Sequence, residues 1–596
     1  MTSECSSPHQ LWRSVDTLLG RGRVPTSLTI SADTMHTFFD TKVAGVRAST
    51  DDSTLPTYND VPPGHSLTDF MQLSNDDVIA AVQRLPDKQC ASDPLPTSLL
   101  KQNVDLLAPF LTELFNRSLI EGIVPSVFKT AYITPLLKKS DLDPDETKSY
   151  RPISNLSVLS KTLERVVARQ LIDYLNAAEL LPDVQSAYRA HHSTETAVLK
   201  VLADILRAVD SGELAALAML DLSAAFDTVD HETLLTRLKK SYGLGGCAHD
   251  WFQSYLSGRF QSVHCGGTSS TPTLLICGVP QGSVLGPILF LLYTADLLRL
   301  IRTHHLHPHL YADDTQIYGN GHPADTSTLQ SRVSACISDV AAWMRSNRLQ
   351  LNSDKTEVIW CTSTRRQHQI PSTPFVIGSD AILPVSSVRN LGIYIDSDLT
   401  MKTHISKTVS ACFAILRRIR SIRRSVTRPV LQSLIVSLVL TKLDYGCTSL
   451  AGLPARQLDR LQSVLNSAAR LIYSARRSEH ISPLLHDLHW LRVPQRIEFR
   501  LAVLVYRCLS GTAPQYLAGE LQRVADVDSR RRLRSSSSSL LSVPRTSHST
   551  IGDRAFPVAA AKVWNSLPPS IQSLPSLLTF RRALKTELFH RSFGDN

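Results

Sequence analysis

Apolar residues recur every three to four positions over much of the chain, which is the spacing of one buried helix face. The first clear case is 75–85, where Ser74 is placed to cap the helix N-terminus. A longer amphipathic helix is predicted over 99–119. Further helices are predicted at 156–176, 195–209, 231–242, 248–256, 288–300, 329–345, 459–474, 494–509 and 579–589.

Short apolar runs bounded by turn residues predict strands between these helices. The run at 215–222 is apolar almost throughout, which is typical of a buried central strand. Two shorter runs flank Asp313 and Asp314 and predict a β-hairpin with an acidic tip. The remaining strands are predicted at 127–137, 260–264, 273–279, 356–361 and 391–395.

The two ends of the chain differ from this middle part. Residues 1–74 are polar and are predicted as a partly disordered connector with short helices at 4–20 and 34–46. Residues 529–542 are rich in Ser and Arg and are interpreted as a flexible linker. After residue 400 a helical stripe is predicted to face the core, formed by Ile405, Val409, Cys412, Leu416 and Ile419. Basic residues are expected on or beyond its exposed side, namely Arg417, Arg418, Arg420, Arg423 and Arg424.

Composition and charge narrow the class of protein. The 596 residues are 43% hydrophobic and 19% charged, which is typical of a globular protein of several domains. Residues 401–596 carry 30 Lys and Arg against 11 Asp and Glu, whereas residues 1–400 carry 33 against 42. This asymmetry favours a polyanionic partner such as nucleic acid over a merely solvated basic face.

Other compositional signals exclude several classes. None of the ten cysteines form a CxxC pair, so no zinc ribbon is predicted. His304, His305, His307 and His309 are interpreted as the approach to the acidic hairpin rather than as a zinc site. No apolar leader is evident, and the apolar runs are too short to span a bilayer. We therefore expect an intracellular protein that is neither secreted nor bound to a membrane.

Three carboxylates are the leading candidates for chemistry. Asp221 ends a buried strand, where its charge needs compensation by a metal ion or by a role as a helix or turn cap. Asp313 and Asp314 could hold a divalent metal at a phosphate, or could simply form an acidic surface turn.

Two further segments carry polar groups of interest. Gln281 and Gly282 lie in a tight loop, where glycine allows close approach of a ligand and glutamine offers both donor and acceptor. A plain turn between strand and helix is the alternative. Lys355 could neutralise a phosphate or protonate a leaving group, or it could be an ordinary exposed lysine.

The order of these segments resembles the reverse transcriptase of non-LTR (LINE-type) retrotransposons. The core motifs are LDLSAAFDTVDH at 220–231, GVPQGSVLGP at 278–287, YADD at 311–314, LQLNSDKTEV at 349–358 and NLGIYID at 390–396. Upstream, similar motifs are VFKTAYITPLLKK at 127–139, SYRPISNLSVLSKTLERVV at 149–167 and QSAYRAHHSTETAVL at 185–199. The first of these upstream motifs has Phe128 where the family usually has Trp.

The resemblance implies an α+β fold of the right-hand polymerase type. Fingers and an antiparallel palm would occupy 75–400, a helical basic thumb 401–515, and a linker and tail 516–596. It implies an RNA-directed DNA polymerase that takes an RNA template, a DNA primer and dNTPs. Two Mg²⁺ ions, with Mn²⁺ as a substitute, would be bound by Asp221, Asp313 and Asp314.

The resemblance also implies roles for other side chains. Phe226 would be the steric gate that rejects a ribose 2′-hydroxyl, and Asp227 would be structural. Lys355 would be a general acid for pyrophosphate. Nucleotide and template contacts would come from Gln281, Gly282, Tyr311, Arg151 and Arg189.

The chain departs from the family pattern in its accessory domains. About 75 residues precede the polymerase region, which is too few for the endonuclease that many such elements carry. No cysteine–histidine knuckle and no RNase H carboxylate set is apparent. A catalytically silent nucleic-acid-binding relic is therefore the alternative function. An RNA-templated RNA polymerase is disfavoured by Phe226.

Overall fold

The computed structural model describes residues 30–87, 93, 95–139, 142–377, 380–526 and 539–594. The predicted helix at 4–20 lies outside these residues, as does the predicted linker at 529–542 up to residue 538. Within them, helices and strands are mixed along the chain, and the predicted α+β class is confirmed.

Helices dominate the chain as far as residue 210. Ser74 caps the second helix as predicted, in a capping box with Asp77. The helix predicted at 99–119 is divided at Asn103, whose side chain donates to the carbonyl oxygen of Leu99 (2.9 Å) and so competes with the helical backbone. The elements are α1 (Ala32–Ser49), α2 (Asn75–Gln83), α3 (Thr97–Gln102), α4 (Val104–Glu121), β1 (Thr130–Leu137), β2 (Tyr150–Asn155), α5 (Val158–Ala177) and α6 (Thr194–Asp210).

The next part of the chain, up to residue 400, carries most of the strands. Its elements are β3 (Leu214–Leu220), β4 (Leu222–Ser223), α7 (His231–Tyr242), α8 (Gly246–Leu256), β5 (Arg259–Cys265), β6 (Thr268–Ser269), β7 (Thr273–Leu275), α9 (Leu285–Thr294), α10 (Asp296–Thr303), β8 (His307–Tyr311), β9 (Asp314–Gly321), α11 (Thr326–Ser346), β10 (Gln350–Leu351), β11 (Glu357–Cys361), β12 (Phe375–Ile377), β13 (Asp380–Ile382), β14 (Ser387–Asn390) and β15 (Ile393–Asp396).

The central sheet is antiparallel, with the strand order β11–β3–β9–β8. Both faces of β3 are covered, because Ala216 and Ala218 belong to one hydrophobic core while Ala215 and Leu217 belong to the other. A strand buried on both faces has no polar side to show, which explains its nearly continuous apolar sequence. The prediction of a buried central strand is confirmed.

A second sheet lies beside the central one and is built on β1, which pairs with β2 and with β5. Strands β6 and β7 both pair with β5. Helix α1, predicted at 34–46, packs on this sheet and buries Met35 and Phe39 against Ile133 and Val263. The N-terminal helix is therefore part of the core of this sheet.

Two predicted strands are shorter in the structure because their ends bond elsewhere. The strand predicted at 273–279 stops at Leu275, and the backbone N–H groups of Gly278 and Val279 donate to Val229 (2.7 Å) and Phe226 (2.8 Å) instead. In the last hairpin, Leu391 and Gly392 have positive φ and form the turn, so β15 begins only at Ile393.

The chain beyond residue 400 is helical. Of the predicted stripe, four members are buried and Val409 is partly buried against the same core. The C-terminal residues return to α6, where the Asp210 carboxylate accepts from the backbone of Ser547 (2.8 Å) and His548 (2.6 Å). The helices are α12 (Lys402–Ile422), α13 (Arg428–Ile435), α14 (Thr441–Asp444), α15 (Ala455–Tyr473), α16 (Ser482–Asp487), α17 (Val493–Leu509), α18 (Gln515–Ala518), α19 (Phe556–Asn565), α20 (Pro569–Gln572) and α21 (Leu577–Phe593).

No helix among the described residues combines the length and the apolar character needed to cross a membrane.

Candidate active site

The register of the central sheet brings the three aspartates to one place. Leu220, the last residue of β3, pairs with Thr315 of β9, so Asp221 follows beside Asp314. Tyr311 pairs with Asp314 across the β8–β9 hairpin. The predicted hairpin is confirmed, and Ala312 and Asp313 form its tip.

The aspartates repel one another. Burial raises the pKa of Asp314 to about 6, and the charges of Asp313 and Asp221 add to this effect. Burial also raises the pKa of Asp313, again with a contribution from Asp221. Lys355 and Arg151 act in the opposite direction on both groups. The site therefore holds an excess of negative charge that a cation would relieve.

Lys355 lies directly on this acidic cluster. Its Nζ atom is 2.5 Å from Oδ2 of Asp221. Strand β10 positions it by pairing with β4, and the backbone N–H of Asn352 donates to the carbonyl oxygen of Asp221 (2.9 Å). The structure thus brings together Asp221 and the segment at 349–358 that carries Lys355.

The donor atoms suit a hard divalent cation. Within the described ranges, no three His, Cys, Asp or Glu side chains are gathered closely enough to hold a metal ion by themselves. Mg²⁺ is commonly bound by one or two carboxylates together with substrate phosphates and water. Carboxylate oxygens with raised pKa values therefore fit an ion that shares its coordination with a phosphate.

The loop at 278–282 is held on two sides. The Gln281 amide donates to both carboxylate oxygens of Asp227 (2.8 and 2.9 Å), and burial raises the pKa of Asp227 to about 6. The Gln281 carbonyl oxygen accepts from the backbone of Ser154 in β2 (2.7 Å). Gly282 has φ +130°, and a Cβ atom there would collide with the Ser154 carbonyl oxygen. These contacts fix the loop between the Asp221 segment and the second sheet.

Phe226 and Tyr311 also lie at this site. The Phe226 ring stacks on Phe290 of α9, with 4.6 Å between ring centroids. Tyr311 ends β8 and packs with Ala187, Leu291 and Ala312. Arg151, in β2, is exposed, and its charge reaches Asp313 and Asp314.

Comparison with known proteins agrees with this geometry. Residues 137–395, which include all three aspartates, match the family model described as reverse transcriptase (RNA-dependent DNA polymerase). Over this segment the chain is therefore similar to reverse transcriptases, as its motifs predicted.

Its similar relatives come from mobile elements. The probable RNA-directed DNA polymerase from transposon BS of Drosophila melanogaster is 28% identical, over 71% of this chain and 47% of the relative. The RNA-directed DNA polymerase from mobile element jockey of the same species is 28% identical, over 55% and 36%. A Pol polyprotein from type-1 retrotransposable element R2 of Popillia japonica is 25% identical, over 55% and 45%. The predicted resemblance to reverse transcriptases of mobile elements is therefore confirmed at 25–28% identity, and the chain spans less than half of the length of these relatives.

One predicted site residue, Arg189, bonds the backbone of its own loop. The Arg189 guanidinium donates to the backbone carbonyl oxygens of Pro182 and Gln185. Burial lowers the pKa of Arg189, and Tyr516 and Asp183 act in the opposite direction. Arg189 thus organises its own loop, and its contact with nucleotide or template stays a prediction.

Sequence reasoning missed two residues that shape the site. The fully buried Glu164 accepts from the backbone N–H groups of Val284 (2.7 Å) and Leu285 (3.1 Å), which explains why α9 begins at Leu285. The sequence signal for Glu164 is a charged residue on the apolar face of the helix predicted at 156–176, beside Leu163. The second residue is Gln185, whose side chain bonds the tip of the acidic hairpin, a contact that no periodic pattern in the sequence indicates.

Proposed function

We propose that this chain is an RNA-directed DNA polymerase that transfers nucleotides from dNTPs to a primer 3′-hydroxyl on an RNA template. The observation that carries the proposal is the gathering of Asp221, Asp313 and Asp314 at the edge of the central sheet. The raised pKa values of Asp313 and Asp314 indicate a site built for added positive charge. The match of residues 137–395 to the reverse transcriptase family model supports the same reaction.

We propose that Asp221, Asp313 and Asp314 hold two Mg²⁺ ions, which Mn²⁺ could replace. Held by these carboxylates, the ions would supply positive charge to the primer oxygen and to the departing pyrophosphate. The primer oxygen forms a bond to the α-phosphorus as the bond to pyrophosphate breaks. The carboxylates keep the reacting groups in line and balance the charge around them.

Other side chains serve the substrate. Phe226, held by its stacking on Phe290, excludes a ribose 2′-hydroxyl. Arg151 is free to contact the triphosphate because its guanidinium is exposed beside the acidic cluster. Lys355 donates a proton to pyrophosphate, which requires its ammonium group to leave Asp221 when the substrate binds.

Template and primer contacts come from the surrounding backbone and rings. Gln281 is committed to Asp227, so the loop contributes mainly its backbone at Gly282. Tyr311 lies next to the carboxylates and supports the primer end. Arg189 contacts the template from its loop.

The right-hand layout is part of the proposal. The central sheet is the palm, the second sheet with its helices forms the fingers, and helices 402–509 form the thumb. Exposed arginines on α12 bind the phosphates of the RNA–DNA hybrid, so affinity falls as salt rises. Their contacts are independent of base sequence.

Primer extension on a defined RNA template tests the reaction. We expect Mg²⁺-dependent synthesis from dNTPs that falls at least about 10³-fold in Asp313→Ala, because a metal-binding carboxylate is lost. Asp173→Ala, on an exposed helix face, is the matched control and should retain wild-type synthesis. Tight RNA binding without any synthesis by the wild-type chain would instead support a silent relic.

Sugar selection tests the gate. Phe226→Ala should admit ribonucleotides at a rate at least about tenfold above wild type, because the ring no longer fills the space beside the 2′ carbon. Phe260→Ala, which removes a half-exposed ring from the second sheet, is the control. Unchanged discrimination in a folded Phe226→Ala protein would remove this role.

A further inference from the structure

The tip of the catalytic hairpin adopts a backbone conformation that needs support. Ala312 has φ +56°, in the left-handed region that alanine rarely occupies. Asp313 follows it directly, so the direction of the Asp313 carboxylate depends on how Ala312 is held. Neither the N–H nor the carbonyl of Ala312 pairs within the β8–β9 ladder, which closes at Tyr311 and Asp314.

Gln185 supplies those missing partners. Its Oε1 atom accepts from the backbone N–H of Ala312 (3.0 Å), and its Nε2 atom donates to the Ala312 carbonyl oxygen (3.4 Å). The same Oε1 atom accepts from the backbone of Ala187 (3.0 Å). Only 1% of Gln185 is exposed, so water cannot easily replace these contacts.

The segment that carries Gln185 is itself attached to the hairpin. Ser186 N donates to the Leu310 carbonyl oxygen (2.9 Å), and Leu310 N donates to the Val184 carbonyl oxygen (3.0 Å). Residues 184–186 therefore run along β8 as a further short strand, in a parallel bridge. This backbone pairing sets the position of the Gln185 amide relative to Ala312 at the hairpin tip.

A buried polar cluster also holds residues 184–186 in place. The Ser186 hydroxyl bonds Nε2 of His309 (2.9 Å) and the hydroxyl of Tyr516 (2.8 Å). Tyr516 also donates to Thr196 in α6 (3.1 Å). Tyr516 belongs to α18, beyond the residues that match the family model, so the C-terminal part of the chain reaches the back of the catalytic hairpin.

We propose that Gln185 is the positioning residue of the catalytic turn, and that Tyr516 secures the segment that carries it. The inference rests on the proposed polymerase function. Gln185 acts through the backbone of Ala312, which it holds so that Asp313 faces Asp221. Its loss should therefore reduce turnover while substrate affinity and overall folding persist.

Gln185→Met tests the role, because methionine keeps the length of the side chain and makes none of the three hydrogen bonds. We expect kcat for dNTP incorporation to fall about 10- to 100-fold, as for a small misplacement of a catalytic group. The KM for dNTP and the affinity for primer–template should stay within about twofold. Hydrogen–deuterium exchange of peptides covering 310–314 should become at least about tenfold faster.

The chain offers a matched control in Gln170. Its amide bonds the backbone of Met71 in the same two-sided way, accepting from the N–H (2.7 Å) and donating to the carbonyl (3.0 Å). Gln170→Met should leave kcat and exchange at 310–314 unchanged. Wild-type kcat together with wild-type exchange in Gln185→Met would overturn the proposal.

If Gln185→Met does not fold, the milder variant Tyr516→Phe tests the proposal. Tyr516→Phe removes one hydroxyl and should lower kcat about two- to fivefold with faster exchange at 310–314. Its control is Tyr506→Phe, which removes a hydroxyl that donates to Leu574 (3.0 Å). A folded Tyr516→Phe protein with wild-type kcat and exchange would overturn the proposal in that case.

The exchange measurement separates the two hypotheses. If the wild-type chain makes no DNA, the polymerase function fails, and faster exchange in Gln185→Met still shows that Gln185 holds the turn. If the wild-type chain makes DNA and neither variant alters rate or exchange, the polymerase function stands and the positioning role fails.

Discussion

At the scale of single residues, the buried acidic cluster lowers the stability of the fold at neutral pH. Asp314 has a pKa of about 6 in the folded protein, above its ordinary value, because of burial and the charges of Asp313 and Asp221. A raised pKa means that the folded state binds the proton more tightly than the unfolded state. The stabilisation is therefore complete below the ordinary pKa near 4 and is lost as the pH rises through about 6.

Asp314→Asn should remove part of this pH dependence. Without Mg²⁺, we expect the variant to be more stable than wild type at pH 7 by about 1–3 kcal/mol, since it no longer buries a charge among like charges. At pH 4 the two proteins should differ little. Urea unfolding at several pH values measures this, and Mg²⁺ should stabilise wild type more than the variant. Parallel stability curves for the two proteins would contradict the argument.

At the scale of elements, the loop at 278–282 is the joint between the two sheets. Its backbone bonds Phe226 and Val229 on one side and Ser154 of β2 on the other. Gly282 makes this close approach possible, since a side chain there would collide with Ser154. A glycine at such a position is therefore a packing requirement as well as a conformational one.

Gly282→Ala should separate the loop from β2. We expect a loss of about 2–4 kcal/mol in the free energy of unfolding, from the collision together with the unfavourable φ. Gly267→Ala is the matched control, because Gly267 also has positive φ (+81°) and has open space where Cβ would stand. It should cost about 1 kcal/mol. Equal losses in the two variants, measured by urea unfolding, would show that the approach to Ser154 is unimportant.

At the scale of the whole molecule, the C-terminal region is joined through α6 to the part of the chain that carries the three aspartates. Glu520 is 10% exposed and bonds Lys200 (2.6 Å) and Arg207 (2.6 Å) of that helix. Tyr516 donates to Thr196 of the same helix, and Asp210, the last residue of that helix, accepts from the backbone of Ser547. The regions before and after residue 400 therefore share one buried interface, and we expect them to unfold together.

Glu520→Gln tests whether this interface stabilises the protein. Removing the Glu520 charge leaves Lys200 and Arg207 with Asp204 as their remaining shared carboxylate partner, and we expect a loss of about 1–3 kcal/mol. Glu587→Gln, which breaks a local pair with Arg591 on one helix, should cost less than about 1 kcal/mol. Urea unfolding followed by both tryptophan fluorescence and far-UV circular dichroism measures the effect. Two separate transitions in the wild-type protein would contradict a shared interface.

Much of the fold was predictable because local patterns agree with the tertiary structure. The helix at 75–85 carries its own cap in Ser74, and β3 is apolar on both faces because both faces are buried. Predictions failed at element ends where a distant partner decides the boundary. Helix α9 begins early because Glu164 caps it, and β7 ends early because Gly278 bonds Val229.

The amino-acid sequence by itself determined the order of the motifs, the acidic hairpin and the candidate aspartates, because these depend on residue type and short-range spacing. Only the tertiary structure decided which groups meet. Strand register sets Asp221 beside Asp314, and Gln185 reaches Ala312 from 127 positions away along the chain. Such contacts arise from the pairing of distant strands and leave no periodic signal, so no local pattern could have revealed how the turn at Ala312 is held.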